Sequence, residues 1–173
     1  MSLMQVLKDA LGDVNVIAED LGFLTDGVRR LLHDSGFPGM KVIQFAFDSR
    51  EESDYLPHNY EKNCVVYTGT HDNDTLCGWY KVLDPEDLKL SQKYMNNANT
   101  PKRQIHWDFI RLALASVADL CIIPLQDYLG LGSEARINMP STLGDNWKWR
   151  LTDGQLTDAL AAHMKDVTKT YCR

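Results

Sequence analysis

The sequence predicts an α/β fold with a parallel sheet, and three observations carry that expectation. Four short apolar runs, at residues 14–18, 40–47, 64–68 and 120–125, read as strands, and their near-continuous hydrophobicity suits parallel strands covered on both faces. Helical patterns separate the runs, so the connections are right-handed crossovers. Polar clusters then stand directly after three of the runs: Glu19-Asp20, His71-Asp72-Asn73-Asp74 and Gln126-Asp127. Alternation alone fits a doubly wound sheet as well as a slice of a (β/α) barrel. Polar clusters at the carboxyl ends of strands favour the barrel, whose sites are assembled from βα loops on that face.

Taken in chain order, the elements have recognisable starts and stops. Met1-Ser2-Leu3 ahead of a second methionine at Met4 reads as an expression leader. Thr25 is placed to cap a helix carrying Val28, Leu31 and Leu32 at helical spacing, and Ser35-Gly36 ahead of Pro38 ends it. Asp84-Pro85 opens a more polar helix to Met95. Thr100 as N-cap, with Pro101 at the first helical position, opens a longer one through Ile105, Phe109, Leu112 and Ala113. Thr152-Asp153-Gly154-Gln155 has capping-box spacing ahead of Leu156, Leu160, Met164, Val167 and Tyr171, so the chain is expected to end on an amphipathic helix. Residues 1–173 read as a single partial domain with no repeat and no linker.

Composition excludes several classes. With 44% hydrophobic and 24% charged residues the chain resembles a folded domain and not a disordered one. Eighteen basic against 24 acidic residues leave a net charge of −6 with no basic stripe, which argues against a nucleic-acid partner. No apolar run reaches the roughly 20 residues that span a bilayer, so no membrane partner is expected. Cys64, Cys77, Cys121 and Cys172 form neither a C-x-x-C pair nor a zinc set with histidines. Reduced, mostly buried thiols in the cytoplasm are the reading, with no metal and no cofactor.

The residues that could carry chemistry each admit a plainer role. Glu19 leaves an apolar strand, where burial would raise its pKa and keep a proton for a leaving group; it could equally be a helix-approach carboxylate near Thr25. The His71 to Asp74 cluster packs two carboxylates, an imidazole and an amide into one turn, which suits a ligand, a structural turn or a cation loop. EF-hand spacing fails, because Leu76 and Leu83 stand where oxygen ligands belong. Gly130-Leu131-Gly132-Ser133-Glu134-Ala135 matches the dinucleotide fingerprint G-x-G-x-x-A, yet Pro140 and the loop formers after Asn138 leave too little helix. Trp147 and Trp149 with Arg150, and the pair Trp79-Tyr80, could stack sugars or simply pack. His33, His106 and His163 have no partners at ligand spacing.

Six ordered blocks tie these features together: Ile17-Ala18-Glu19-Asp20-Leu21-Gly22, Pro38-Gly39-Met40-Lys41-Val42, Leu56-Pro57-His58-Asn59-Tyr60, Tyr67 to Thr75, Gly130 to Arg136, and Asn146-Trp147-Lys148-Trp149-Arg150. Over almost the whole chain they resemble the 4-α-glucanotransferase family, relatives of the α-amylases. The resemblance implies the C-terminal half, strands 5 to 8, of a (β/α)8 barrel of the α-amylase type. It also implies retaining transfer of α-1,4-glucan segments to the 4-OH of another glucan or glucose, with maltooligosaccharides and α-1,4-glucans as partners. By position, Glu19 matches the general acid/base and Asp72 the carboxylate that stabilises the oxocarbenium-like transition state. His71, Asp20, Gln126 and Asn138 match positions around the donor sugar.

Retaining transfer needs a second carboxyl that attacks from about 5–5.5 Å away. The family's nucleophilic Asp lies in an Arg-x-Asp-His block that this sequence does not contain, and Ser141 stands where a Gly is usual. The chain by itself is therefore expected to be inactive and, with open strand edges, to self-associate. A folded glucan-binding module is the alternative from another class.

Overall fold

The computed structural model describes residues 3–12, 14–22 and 24–173. Met1 and Ser2 of the expected leader lie outside the described residues, and Leu3 opens a helix, α1 (Leu3–Leu11), none of whose residues is buried. Three parallel strands form the sheet: β1 (Gly39–Val42), β2 (Cys64–Tyr67) and β3 (Leu120–Ile122), in the order β1-β2-β3. Between and around them lie α2 (Asp26–Ser35), α3 (Leu76–Val82), α4 (Pro85–Met95), α5 (Ile105–Leu114), the single turn α6 (Leu125–Tyr128) and α7 (Asp158–Thr170).

The sheet register separates two faces. Gly39 pairs with Cys64, Met40 with Val65, Val42 with Tyr67, and Tyr67 with Ile122. Alternation along each strand therefore sends Cys64, Val66 and Cys121 to one side and Met40, Val65, Tyr67, Leu120 and Ile122 to the other. The first side is covered by helices and forms the core with Ile43, Phe47, Leu76, Tyr80, Ile105, Phe109 and Ile110. Phe109 of α5 is its hub, packing edge-on against Phe47, Trp79 and Tyr80 with ring centroids 5.9, 5.3 and 5.8 Å away. The second side is only half closed, since Leu120 is 46% and Ile122 38% exposed.

Of the four expected strands, three form and all three are shorter. β1 stops at Val42 and turns into a 3-10 segment, Ile43–Phe45; β3 stops at Ile122, ahead of Pro124. Residues 14–18 form no strand. Ala18 N–H donates to Pro38 O at 2.9 Å, a single contact beside β1, while Val14, Val16 and Ile17 remain exposed. A run becomes a strand only through a ladder, and none is available here.

Two helix starts also differ. Pro101 sits outside its helix with ψ 134°, a 3-10 turn Lys102–Gln104 follows, and α5 begins at Ile105, not beside Thr100. The expected box at residues 152–155 makes its bond, Thr152 N–H to Gln155 Oε1 at 2.9 Å, but closes only a turn. Thr157 caps α7 instead, its hydroxyl accepting from Leu160 N–H at 3.1 Å. The caps Thr25 and Asp84 stand where expected, and Gly36 in the left-handed region ends α2.

Candidate functional site

A cleft of about 440 Å³ opens at the carboxyl ends of the strands, and Glu19, His71, Asp72 and Gln126 all line it, on a floor that includes Met40, Tyr67 and Ile122. The turn between β2 and α3 supplies most of its polar wall. Thr70 N–H and hydroxyl both donate to Asn73 Oδ1 at 2.9 Å, and Asp72 N–H donates to Thr70 Oγ1 at 3.2 Å. These local bonds fold the turn tightly enough to present His71 and Asp72 outward.

Asp72 is fixed from across the cleft. Asn138 Nδ2 donates to Asp72 Oδ1 at 2.6 Å, and Arg136 donates to the Asp72 backbone oxygen at 2.6 Å and to the Asn138 carbonyl at 2.8 Å. Asn138 N–H in turn donates to His71 O at 3.1 Å. One Asp72 oxygen is thus held while the carboxylate as a whole keeps partial exposure. His71 Nε2 lies 3.4 Å from Asp72 Oδ1, and its ring packs on Trp147 at 5.1 Å. Trp147 is 56% exposed and has φ 64°, a left-handed backbone unusual for a bulky residue.

Asp74 faces inward. Its carboxylate accepts from Thr75 N–H at 2.7 Å and from the Ser133 hydroxyl at 2.6 Å, and a Cβ at Gly78 would strike it at 2.6 Å, so only glycine fits there. Beneath the turn lies Asp127, 2% exposed. Its two oxygens accept from the Thr68 hydroxyl at 2.6 Å and from Leu76 N–H at 2.8 Å. Burial pushes its pKa up to about 6 although both hydrogen bonds pull it down. Its neighbour Gln126, also buried, donates to Ala135 O at 3.4 Å.

The opposite wall is built differently. Glu19 is exposed, so the burial expected of it is not supplied by the described residues. Asp20 is buried and turned away from the cleft, accepting from Met40 N–H at 2.6 Å. A Cβ at Gly39 would meet its carboxylate at 2.7 Å, which explains the glycine that opens β1. The structure therefore brings Glu19, His71, Asp72, Gln126 and, through Asp72, Asn138 together, and directs Asp20 to β1.

The competing motifs resolve into structure. After Gly130 the G-x-G-x-x-A segment forms only a 3-10 turn, Ser133–Ala135, and Gly132 N–H is occupied by the Glu134 side chain at 2.9 Å, where a phosphate would bind. Trp79 and Tyr80 belong to the core. Among the described residues no group of three His, Cys, Asp or Glu side chains is arranged to hold a metal. All four cysteines are free thiols, Cys64 buried and Cys172 exposed, and burial raises Cys64 and Cys121 to about 11. Arg136 and Asp127 went unassigned in the sequence reading. The readable signal for Asp127 was an acid just after the apolar run that ends at Leu125, which has to find donors if it is buried.

A family model described as 4-alpha-glucanotransferase matches residues 1–157. The 4-alpha-glucanotransferase of Clostridium butyricum is 48% identical over all of this chain, and the chloroplastic/amyloplastic enzyme of Solanum tuberosum is 45% identical over 99% of it. The solved amylomaltase from Streptococcus agalactiae in complex with acarbose superposes with a TM-score of 0.92 at 39% identity, covering 99% of this chain and 34% of that one. The chain spans about a third of the length of these relatives.

Proposed function

Because the chain belongs to the 4-alpha-glucanotransferase family, we propose that it is the C-terminal half, strands 5 to 8, of a (β/α)8 catalytic barrel that moves α-1,4-glucan segments between chains. The observation that carries this reading is the convergence of Glu19, His71, Asp72 and Gln126 on one strand-end cleft, with Asp72 held by Asn138. The half-open sheet face with Leu120 and Ile122 suits the interior of a barrel whose other strands lie outside this chain. In that setting residues 14–18 would gain their missing neighbour and become the fourth strand.

In the proposed reaction Glu19 gives its proton to the glycosidic oxygen as the C–O bond breaks, while a carboxylate outside this chain attacks the anomeric carbon. Asp72 accepts hydrogen bonds from sugar hydroxyls that strengthen as positive charge grows on the ring. His71 and Gln126 orient the donor sugar, and Asn138 both holds Asp72 and borders the same subsite. The Glu19 carboxylate then takes the proton of an acceptor 4-OH, which attacks the glycosyl ester with retention and frees the nucleophile. Maltooligosaccharides and α-1,4-glucans are the substrates, a reading supported by the acarbose bound to the related amylomaltase. Free thiols suit a reducing compartment such as the cytoplasm, although the Solanum tuberosum relative is a plastid enzyme.

In the complete enzyme, Glu19→Gln is expected to abolish transfer from natural glucans while largely sparing donors with a good leaving group, since only the former need protonation. Equal loss with both donor types would sink the acid/base role. The isolated chain, lacking the nucleophile, is expected to release no glucose from maltotriose and to associate through its open sheet face, read by sedimentation over a concentration series.

A further inference from the structure

The turn that carries Asp72 is closed at both ends by one buried side chain. Thr68, the first residue after β2, and Leu76, the first of α3, each stand four positions from Asp72. Both are bonded to Asp127, which arrives from α6 beyond β3: the Thr68 hydroxyl donates to Oδ2 at 2.6 Å and Leu76 N–H to Oδ1 at 2.8 Å. Thr68 and Leu76 are themselves fully buried. The outer bonds, from Arg136 and Asn138, hold the crest of the turn, and Gln44 Nε2 donates to Asp74 O at 2.7 Å; among the described residues Asp127 is the side chain that bonds both stems.

Resting on the glucanotransferase reading above, we propose that Asp127 is the positioning residue of the Asp72 turn: its carboxylate clamps the two stems and so sets where Asp72 meets the sugar. A carboxylate suits this task because two acceptor oxygens, about 2.2 Å apart on one rigid plane, fix the spacing of two donors at once. Burial raises its pKa to about 6 despite both bonds, so the charge it carries at neutral pH opposes folding. Asp74 is the charged group facing it and raises it further, and the Cys77 thiol is the other titratable neighbour.

The test uses the complete enzyme with maltotriose. Asp127→Ala removes both anchors and is expected to lower kcat about a hundredfold with KM within about threefold, the loss that roughly 1 Å of misplacement produces. Asp127→Asn keeps an acceptor for Leu76 but presents an N–H to Thr68, whose hydroxyl must turn from donor to acceptor, so the weakened anchor is expected to leave this variant between wild type and Ala. Thr68→Val, which removes the same anchor outright, should lose at least as much as Asp127→Asn, and the double variant should be no worse than Thr68→Val alone. A kcat per folded molecule within twofold of wild type for Asp127→Asn and Thr68→Val, or additive losses in the double variant, would overturn the proposal. These two variants decide the matter if Ala fails to fold. Amide exchange of residues 69–75 separates this inference from the reading it rests on. If the wild-type enzyme performs no glucan transfer, that reading fails. Roughly tenfold faster exchange in Asp127→Asn and Thr68→Val, with α5 unchanged, would still support the clamp, and unchanged exchange would end it.

Discussion

The two walls of the cleft reach the same space by opposite means. The Asp72 wall is complete within the chain: Thr70, Asn73, Asn138, Arg136 and Asp127 bond it on every side, and the Phe109 core lies under α3. The Glu19 wall is bound by Ala18 N–H to Pro38 O and by Asp20 to Met40 N–H, with Val14, Val16 and Ile17 exposed alongside. The contrast teaches that one carboxylate is fixed by hydrogen bonds among the described residues, while Glu19 stays exposed beside an apolar run that forms no ladder.

The largest expected effect falls on the finished wall. Asp72→Asn in the complete enzyme should cut kcat by a hundredfold or more with little change in KM, because the contacts it loses strengthen only as charge develops. A raised KM with unchanged kcat would reduce Asp72 to a binding residue. Phe109→Ala strikes the same wall from below, and at 0% exposure should cost about 3–5 kcal/mol in chemical denaturation. If α2 and residues 14–22 loosen as much as the Asp72 turn in that variant, as read by amide exchange, the two walls are not independent.

A pH series sharpens the comparison. Asp127 has a folded pKa raised from 3.8 to about 6, so its protonated form is the one the fold favours. That contribution is fully present below about 3.8 and is lost as pH rises through about 6, amounting to roughly 3 kcal/mol at most. The difference in unfolding free energy between wild type and Asp127→Asn between pH 4 and pH 7 should show this slope, and a flat difference would refute it. The smallest effect belongs to the open wall. Asp20→Ala strands the half-buried Met40 N–H and should cost about 1–3 kcal/mol. Because Asp20 faces β1 and not the cleft, its effect should appear in stability far more than in turnover per folded enzyme.

Much of this was legible in one dimension. Strong local signals placed α2 and α4 with their caps, the cores of β1, β2 and β3, and the polar clusters at the strand ends, since periodicity, turn chemistry and capping all act within a few residues. The family resemblance nominated Glu19, Asp20, His71, Asp72, Gln126 and Asn138 as site residues. Spatial neighbours decided the rest. Residues 14–18 have strand composition but no ladder, Glu19 has no burial, and Asp20 and Asp127, indistinguishable by type from the acids beside them, are turned to Met40 in one case and to Thr68 and Leu76 in the other. A ladder, a desolvated carboxyl and a hydrogen-bond partner each depend on what stands across a gap in space. That is a property of the assembled sheet and its loops, and no window of sequence contains it.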